Sequence, residues 1–377
     1  MRLVSKLLFS VLALASVPAG VAQSKGDFIV YAGTYTRPNK SKGIYAWRFN
    51  SATGKLTSVG LVGETASPSF LAIHPNHKFL YAVNEVSNYG GKKAGSVSAF
   101  AIDAKTGMLK ALNTVSSVGD GPCHLAIDPS GKWLIVANYG GGSTAEYPLH
   151  ADGTLGEASS FVQHEGSSVD RQRQQGPHAH STVVSPDGKL VFVADLGQDK
   201  ILSYRVDGLK PADPPFTKIA PGAGPRHLAF APNGHFAYAI TEMAAGVVAF
   251  RYAGGKFEEL QALPNLQEDV AGRSGAEIAV HPSGKFVYSS TRGANVITVF
   301  AVDPGKGTLT VVDRTPTQGK TPRNFAIDPT GAYLFAANQD SDNVVVFRID
   351  AKTGKLTPSG ETLEAGNPVC IVFLPAQ

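Results

Sequence analysis

The phrase Phe70-Leu-Ala-Ile-His-Pro75 returns as His124-Leu-Ala-Ile-Asp-Pro129, His227-Leu-Ala-Phe-Ala-Pro232, Glu277-Ile-Ala-Val-His-Pro282 and Asn324-Phe-Ala-Ile-Asp-Pro329, with Thr182-Val-Val-Ser-Pro186 as a shorter copy. Successive prolines lie 54, 57, 46, 50 and 47 residues apart. Repeats of this length mark propeller blades or solenoid coils, in which each unit buries its apolar face against the next. After each proline come one or two turn residues, usually with glycine, and then a short run such as Phe79-Leu-Tyr-Ala-Val83 or Trp133-Leu-Ile-Val-Ala137. Runs this short, β-branched and aromatic, bounded by turn residues, read as strands. A third strand follows at 95–102, 201–206, 247–251, 296–302 and 344–349, then a polar turn such as Asp103-Ala-Lys-Thr-Gly107 and a fourth strand. Four antiparallel strands make one blade.

Six copies run from residue 66 to about 364, and the seventh is split. Pro368-Val-Cys-Ile-Val-Phe-Leu-Pro375 supplies its innermost strand, while 28–35, 43–49 and 55–62 supply the other three. Pairing the two ends closes a ring and removes the exposed edges of a linear array. The expected fold is therefore an all-β, seven-bladed β-propeller spanning residues 23–377 as one domain. The 41 glycines among 377 residues fit a chain with so many turns.

Residues 1–22 are read as a cleaved leader: Arg2 and Lys6 precede the apolar run 7–17, and Ala19-Gly20-Val21-Ala22 offers small residues for cleavage before Gln23. A periplasmic or secreted location follows. No other stretch is long and apolar enough to span a membrane as a helix, so the mature form is expected free of the membrane. With a net charge of +4 and no block of like charges, a nucleic-acid partner is not expected. The only two cysteines, Cys123 and Cys370, fall in distant repeats and are expected to stay unpaired.

The repeat also predicts a site. In each blade the first two strands form a hairpin around the proline turn, so the residue six before the proline meets those nine and ten after it at the open end. The first position reads Ser69, Cys123, His180, Arg226, Ala276 and Arg323. The second reads Asn84/Glu85, Asn138/Tyr139, Asp195/Leu196, Thr241/Glu242, Thr291/Arg292 and Asn338/Gln339. All these ends face one side of the disc and should line a funnel suited to a small ligand. The competing reading is a structural ion network in which Glu242 pairs with Arg226 or Arg292. In Gly176-Pro-His-Ala-His180, reached through the polar segment 167–175, His178 and His180 share one side of an extended strand. No further histidine or cysteine stands at a ligand spacing, so neither metal nor cofactor is expected. Gly140-Gly-Gly-Ser143 lies between strands and reads as a hairpin turn rather than a phosphate loop.

Tyr31-Ala-Gly-Thr-Tyr35, Gly43-Ile-Tyr45, Val83-Asn-Glu85, Ala137-Asn-Tyr-Gly140, Arg171-Gln172, Gly176-Pro-His-Ala-His180, Val193-Ala-Asp195-Leu-Gly197, Gly224-Pro-Arg226-His227 and Thr241-Glu242 together resemble the seven-bladed propeller lactonases. That family includes propeller-type 6-phosphogluconolactonase and the carboxy-muconate lactonising enzyme. The resemblance covers residues 28–375. It implies hydrolysis of a sugar lactone, with His180, Arg226, Glu242 and Arg292 as catalytic residues. Glu242 or His180 would be the base, Arg226 the oxyanion partner, and Arg292 with Arg323 the clamps for an anionic tail. His178, Glu85, Asn138, Asp195 and Gln339 complete the expected substrate contacts. A lactone or anionic sugar is the expected partner, and a monomer the expected state. The two other readings are a non-catalytic exported propeller that binds through the same face and a muconate-type cycloisomerase. The leader departs from the family's cytosolic sugar-phosphate enzyme, so an unphosphorylated sugar lactone fits equally well.

Overall fold

The ring closes through its two ends. In the computed structural model, which describes residues 26–38 and 40–376, strand β28 (Pro368–Pro375) pairs antiparallel with β1 (Asp27–Thr34) from Phe28↔Pro375 to Ala32↔Ile371. β2 (Gly43–Asn50) and β3 (Lys55–Glu64) complete that sheet in the order β28-β1-β2-β3, as the split blade requires. Six further sheets, each of four antiparallel strands, make up the seven-bladed β-propeller. The leader expected at 1–22 lies outside the described residues.

The proline turns after Asp128 and Asp328 are tied by those side chains. Asp128 accepts hydrogen bonds from the backbone N–H of Ser130, Lys132 and Trp133, and Asp328 repeats the pattern with Thr330 and Tyr333. An aspartate bonding its own turn competes with strand pairing and stops the ladder there. The long 57-residue spacing has a local cause: after β10 (Ser143–Pro148) and the outer strand β11 (Ser160–Gln163), fifteen residues, 164–178, precede the next inner strand, where the blade after Pro282 uses five, 317–321. Gly140 to Gly142 is the hairpin turn before β10, as read from the sequence.

Neighbouring blades are held by apolar packing and by a repeated polar tie. Buried phenols donate across four junctions: Tyr31 to the Gly107 carbonyl (3.1 Å), Tyr81 to Gly153 (3.0 Å), Tyr238 to Gly307 (3.1 Å) and Tyr288 to Gly354 (2.7 Å). Gly354 has φ +73°, and a Cβ there would stand 2.6 Å from the Phe286 ring, so both turn geometry and space demand glycine. Where the last complete blade meets the split one, Phe49 stacks edge-on against Tyr333 and Phe335, with ring centroids 5.2 and 5.1 Å away. Phe49 is fully buried. Phe49→Ala should therefore cost about 3–5 kcal/mol of unfolding free energy, measured by urea denaturation; a loss below about 1 kcal/mol would show that this junction does not carry closure.

Candidate active site

One backbone device aims the innermost strands at the axis. In β8 (Pro122–Ile127), β12 (Ala179–Val184), β16 (Pro225–Phe230) and β24 (Pro322–Ile327) the register slips by one residue, at Cys123, His180, Arg226 and Arg323 respectively. In β20 (Ser274–Val280), Ala276 and Glu277 together span the single Ser290. A bulge leaves one residue outside the ladder and turns its side chain. These are the positions six before five of the six prolines, Ser69 before Pro75 being the exception.

Opposite them, Glu85, Tyr139 and Glu242, each ten after a proline, stand just past the end of the second strand, whereas Arg292 is still paired, with Ser274, as the last residue of β21 (Phe286–Arg292). Glu85, Tyr139, Glu242 and Arg292 accordingly line a cavity of about 350 Å³ together with Cys123, His180, Arg323, Ser274 and Arg173. Its hub is Glu242. The carboxylate meets Arg173 Nη2 at 2.7 Å, Arg292 Nη2 at 2.9 Å, Arg226 Nε at 3.1 Å and His180 Nε2 at 3.6 Å. Burial opposes its ionisation, but Arg292, Arg226 and Arg173 outweigh burial and hold its pKa at about 2. Burial, then Arg226, pulls the Arg292 guanidinium down to about 10, which leaves it charged at neutral pH. His180 is nearly sealed; burial first, then Arg226, His227 and Arg323, keep its imidazole well below the usual 6.5 and therefore neutral.

Across the cavity the arrangement is looser. Glu85 accepts from the Tyr35 phenol at 2.9 Å and from Ser69 Oγ at 2.5 Å. The Arg323 guanidinium lies 5.3 Å over the Tyr35 ring and has no carboxylate within ion-pair distance among the described residues. The Cys123 thiol donates to the His180 carbonyl at 3.2 Å, its sulfur 3.9 Å from His180 Nδ1, and burial pushes its pKa far up. A thiol so held is a poor nucleophile. Both cysteines are free.

Four residues expected at the site are turned away from the cavity. Asn138 donates to the Ser117 carbonyl and to Ser143 Oγ, both at 3.2 Å. Asp195 accepts from His164 Nδ1 at 2.7 Å and from the His178 N–H at 2.9 Å. Gln339 opens the short helix Gln339–Ser341, where it bonds Asp340. His178 stacks on Tyr139 with centroids 4.5 Å apart and donates from Nδ1 to the Tyr139 carbonyl. Arg226 joins the Glu242 cluster from beneath and is 2% exposed, so it sets that carboxylate's charge without lining the cavity. The repeat register offered no sign of Arg173, which comes from the unique polar segment before β12. That segment is pinned: Asp170 Oδ1 accepts the N–H of Gln172 and of Arg173, and the buried Gln174 side chain donates to the Leu196 carbonyl at 2.8 Å.

Fold and cavity together define a propeller with a small polar pocket on its axis, arginine-rich and built around one carboxylate. The chain belongs to the seven-bladed β-propeller lactonase family, whose model, "Lactonase, 7-bladed beta-propeller", matches residues 29–373. It is 35% identical over 300 residues to the 6-phosphogluconolactonase of Bacillus subtilis, covering 79% of this chain and 84% of that protein. Among solved structures, a putative 6-phosphogluconolactonase from Bacteroides fragilis superposes with TM-score 0.87 at 38% identity, covering 95% of this chain and 99% of the other. The Pseudomonas aeruginosa periplasmic gluconolactonase superposes with TM-score 0.86 at 33% identity, covering 93% and 100%.

A carboxyl held near 2 when folded, against 4.5 ordinarily, contributes stability that is present above pH 4.5 and lost as pH falls toward 2. The unfolding free energy of Glu242→Gln should hence vary less with pH across that window than the parent's, read from urea midpoints at pH 7, 4.5 and 3. Parallel pH dependences would contradict the ion-pair account.

Proposed function

We propose that this chain hydrolyses a sugar lactone, a δ-lactone of an aldonic acid, within the axial funnel. The observation that carries the reading is the neutral, nearly sealed His180 beside an ionised Glu242 in a cavity lined by arginines. Relatives and structural neighbours named as 6-phosphogluconolactonase and gluconolactonase supply the substrate class.

His180, uncharged, takes a proton from a water in the cavity as that water attacks the lactone carbonyl. Glu242, 3.6 Å from Nε2, stabilises the imidazolium that forms. With its own pKa near 2, Glu242 is too weak a base to take the proton itself. The carbonyl oxygen becomes an oxyanion, and among the arginines of the Glu242 cluster Arg292 faces the cavity from a strand end. The oxyanion role suggested by resemblance for Arg226 therefore passes to Arg292. The ring C–O bond then breaks, and the leaving alkoxide takes the proton back from His180. The product is the open hydroxy acid. Arg323, which has no carboxylate partner among the described residues, holds an anionic tail where the substrate has one, and Glu85 accepts from sugar hydroxyls.

His180→Asn should lower kcat/KM by about 10²–10⁴-fold, the usual range for a lost general base. Arg323→Ala should raise KM for 6-phosphogluconolactone by about tenfold, the loss of roughly one charge-assisted bond, and change that for gluconolactone less. Because His180 must be neutral to act and its pKa is depressed, the acidic limb of the kcat/KM profile should fall below pH 6.5. Initial rates on both lactones test these outcomes together; turnover of neither by folded protein would reject the reading.

We also infer export of the mature chain. The support is the leader pattern at 1–22 and the periplasmic naming of one structural neighbour. Expression in a bacterial host with osmotic-shock fractionation should release a protein beginning at Gln23; retention of the intact leader in the cytoplasm would oppose it.

A further inference from the structure

Below the cavity floor lies a second buried layer to which the proposed chemistry gives no part. It is built from residues next to the bulges: His124, His227, Glu277 and Asn324. All are buried, and the His124 and His227 rings meet edge-on with centroids 5.0 Å apart.

Hydrogen bonding fixes the order of this layer. His227 Nε2 lies 3.2 Å from Arg226 Nη1, and a guanidinium can only donate, so Nε2 carries the lone pair. Its proton is therefore on Nδ1, which donates to Glu277 Oε1 at 2.8 Å. Glu277 Oε1 also accepts the Ile278 N–H at 3.0 Å, and Oε2 accepts from Asn324 Nδ2 at 2.5 Å. Asn324 cannot turn its amide over, because Oδ1 accepts the Ile371 N–H of the closing strand at 2.9 Å. Arg226, held at Nη1 by His227 and by the Ala276 carbonyl at 2.6 Å, presents Nε to Glu242.

We propose that Glu277 is a positioning residue for the active site: it fixes the His227 tautomer, which orients Arg226, which in turn holds Glu242 beside His180. The inference rests on the lactonase reading above. Three converging donors require an acceptor-only group, and the ionised carboxylate is the form that meets all of them at once, although burial pushes its pKa up to about 7. An amide in its place forces a conflict. With its nitrogen toward His227, the imidazole must shift its proton to Nε2 and set it against Arg226; with its nitrogen toward Asn324, two amide donors face each other. Outer-shell partners that orient metal ligands are worth about 10–100-fold in activity, and an effect of the same order is expected of this chain of orienting hydrogen bonds.

Glu277→Gln is the test, assayed on gluconolactone or 6-phosphogluconolactone, whichever the parent turns over. The expected result is a fall of about 10–100-fold in kcat with KM nearly unchanged, because no substrate contact is lost. In an Arg226→Ala background the same substitution should cost little further, since the path is already cut. A kcat within a few-fold of the parent overturns the proposal, as does a full additional loss in the Arg226→Ala background. Should Glu277→Gln fail to fold, His227→Phe removes both ring hydrogen bonds while keeping an aromatic ring, and should show the same kcat loss. If the folded parent turns over neither lactone, the lactonase reading itself has failed; if His180→Asn and Glu242→Gln leave turnover intact, the placement of the reaction in this cavity has failed and the positioning role with it; if they abolish turnover while Glu277→Gln does not, only the positioning role has.

Discussion

The antiparallel pairing of Pro368–Pro375 with Asp27–Thr34 is the constraint on which the remaining structure hangs. Seven sheets in a ring leave no exposed inner edge only if first and last are joined, and this chain joins them by building one blade from both ends. Without that join, Phe49 would lose its seat against Tyr333 and Phe335, and the inner strands would have no common axis to face. The closing strand also reaches the centre directly, since the Ile371 N–H is the donor that fixes Asn324.

Geometry at the axis then follows from repetition with one irregularity in the inner strand of each of five blades. A regular strand would alternate its side chains between the two faces of its own sheet. The bulges at Cys123, His180, Arg226 and Arg323 break that alternation and send one side chain from each of four blades toward the centre. Charges gathered there cannot be hydrated freely, and an isolated buried charge is expensive. Glu242 and its three arginines solve this jointly: each guanidinium is tolerated because the carboxylate is present, and the carboxylate stays ionised because of them. Arg323 stands apart, leaning on the Tyr35 ring.

How much of this could be read from the sequence depended on whether a residue belonged to the repeat. The proline phrases placed the blades, and the strands of the split blade agree with the structure to within two residues. The positions six before and ten after each proline found His180, Arg226, Glu242, Arg292, Arg323 and Glu85. The register failed where parity intervened: Asn138 and Asp195, one place earlier, are still in their ladders and bond within the blade walls. Gln339 has the right count, but its chain turns into a short helix. Arg173 was invisible because its segment has no counterpart in other blades; its excess of polar residues was the one available signal. Glu277 was quoted as part of the repeat phrase, yet nothing in the phrase says that a carboxylate there faces three donors.

The cavity lining holds three arginines and two carboxylates, so one positive charge is left over. Low-dielectric walls focus such a field toward the mouth of the funnel, and it reaches outward over about one screening length, roughly 8 Å at physiological ionic strength. The surplus therefore acts before contact is made. A field of that sign favours the approach of anions over cations, and the preference fades as salt concentration rises. An arrangement that looks like unfinished pairing in the resting protein is, for the encounter, a source of speed.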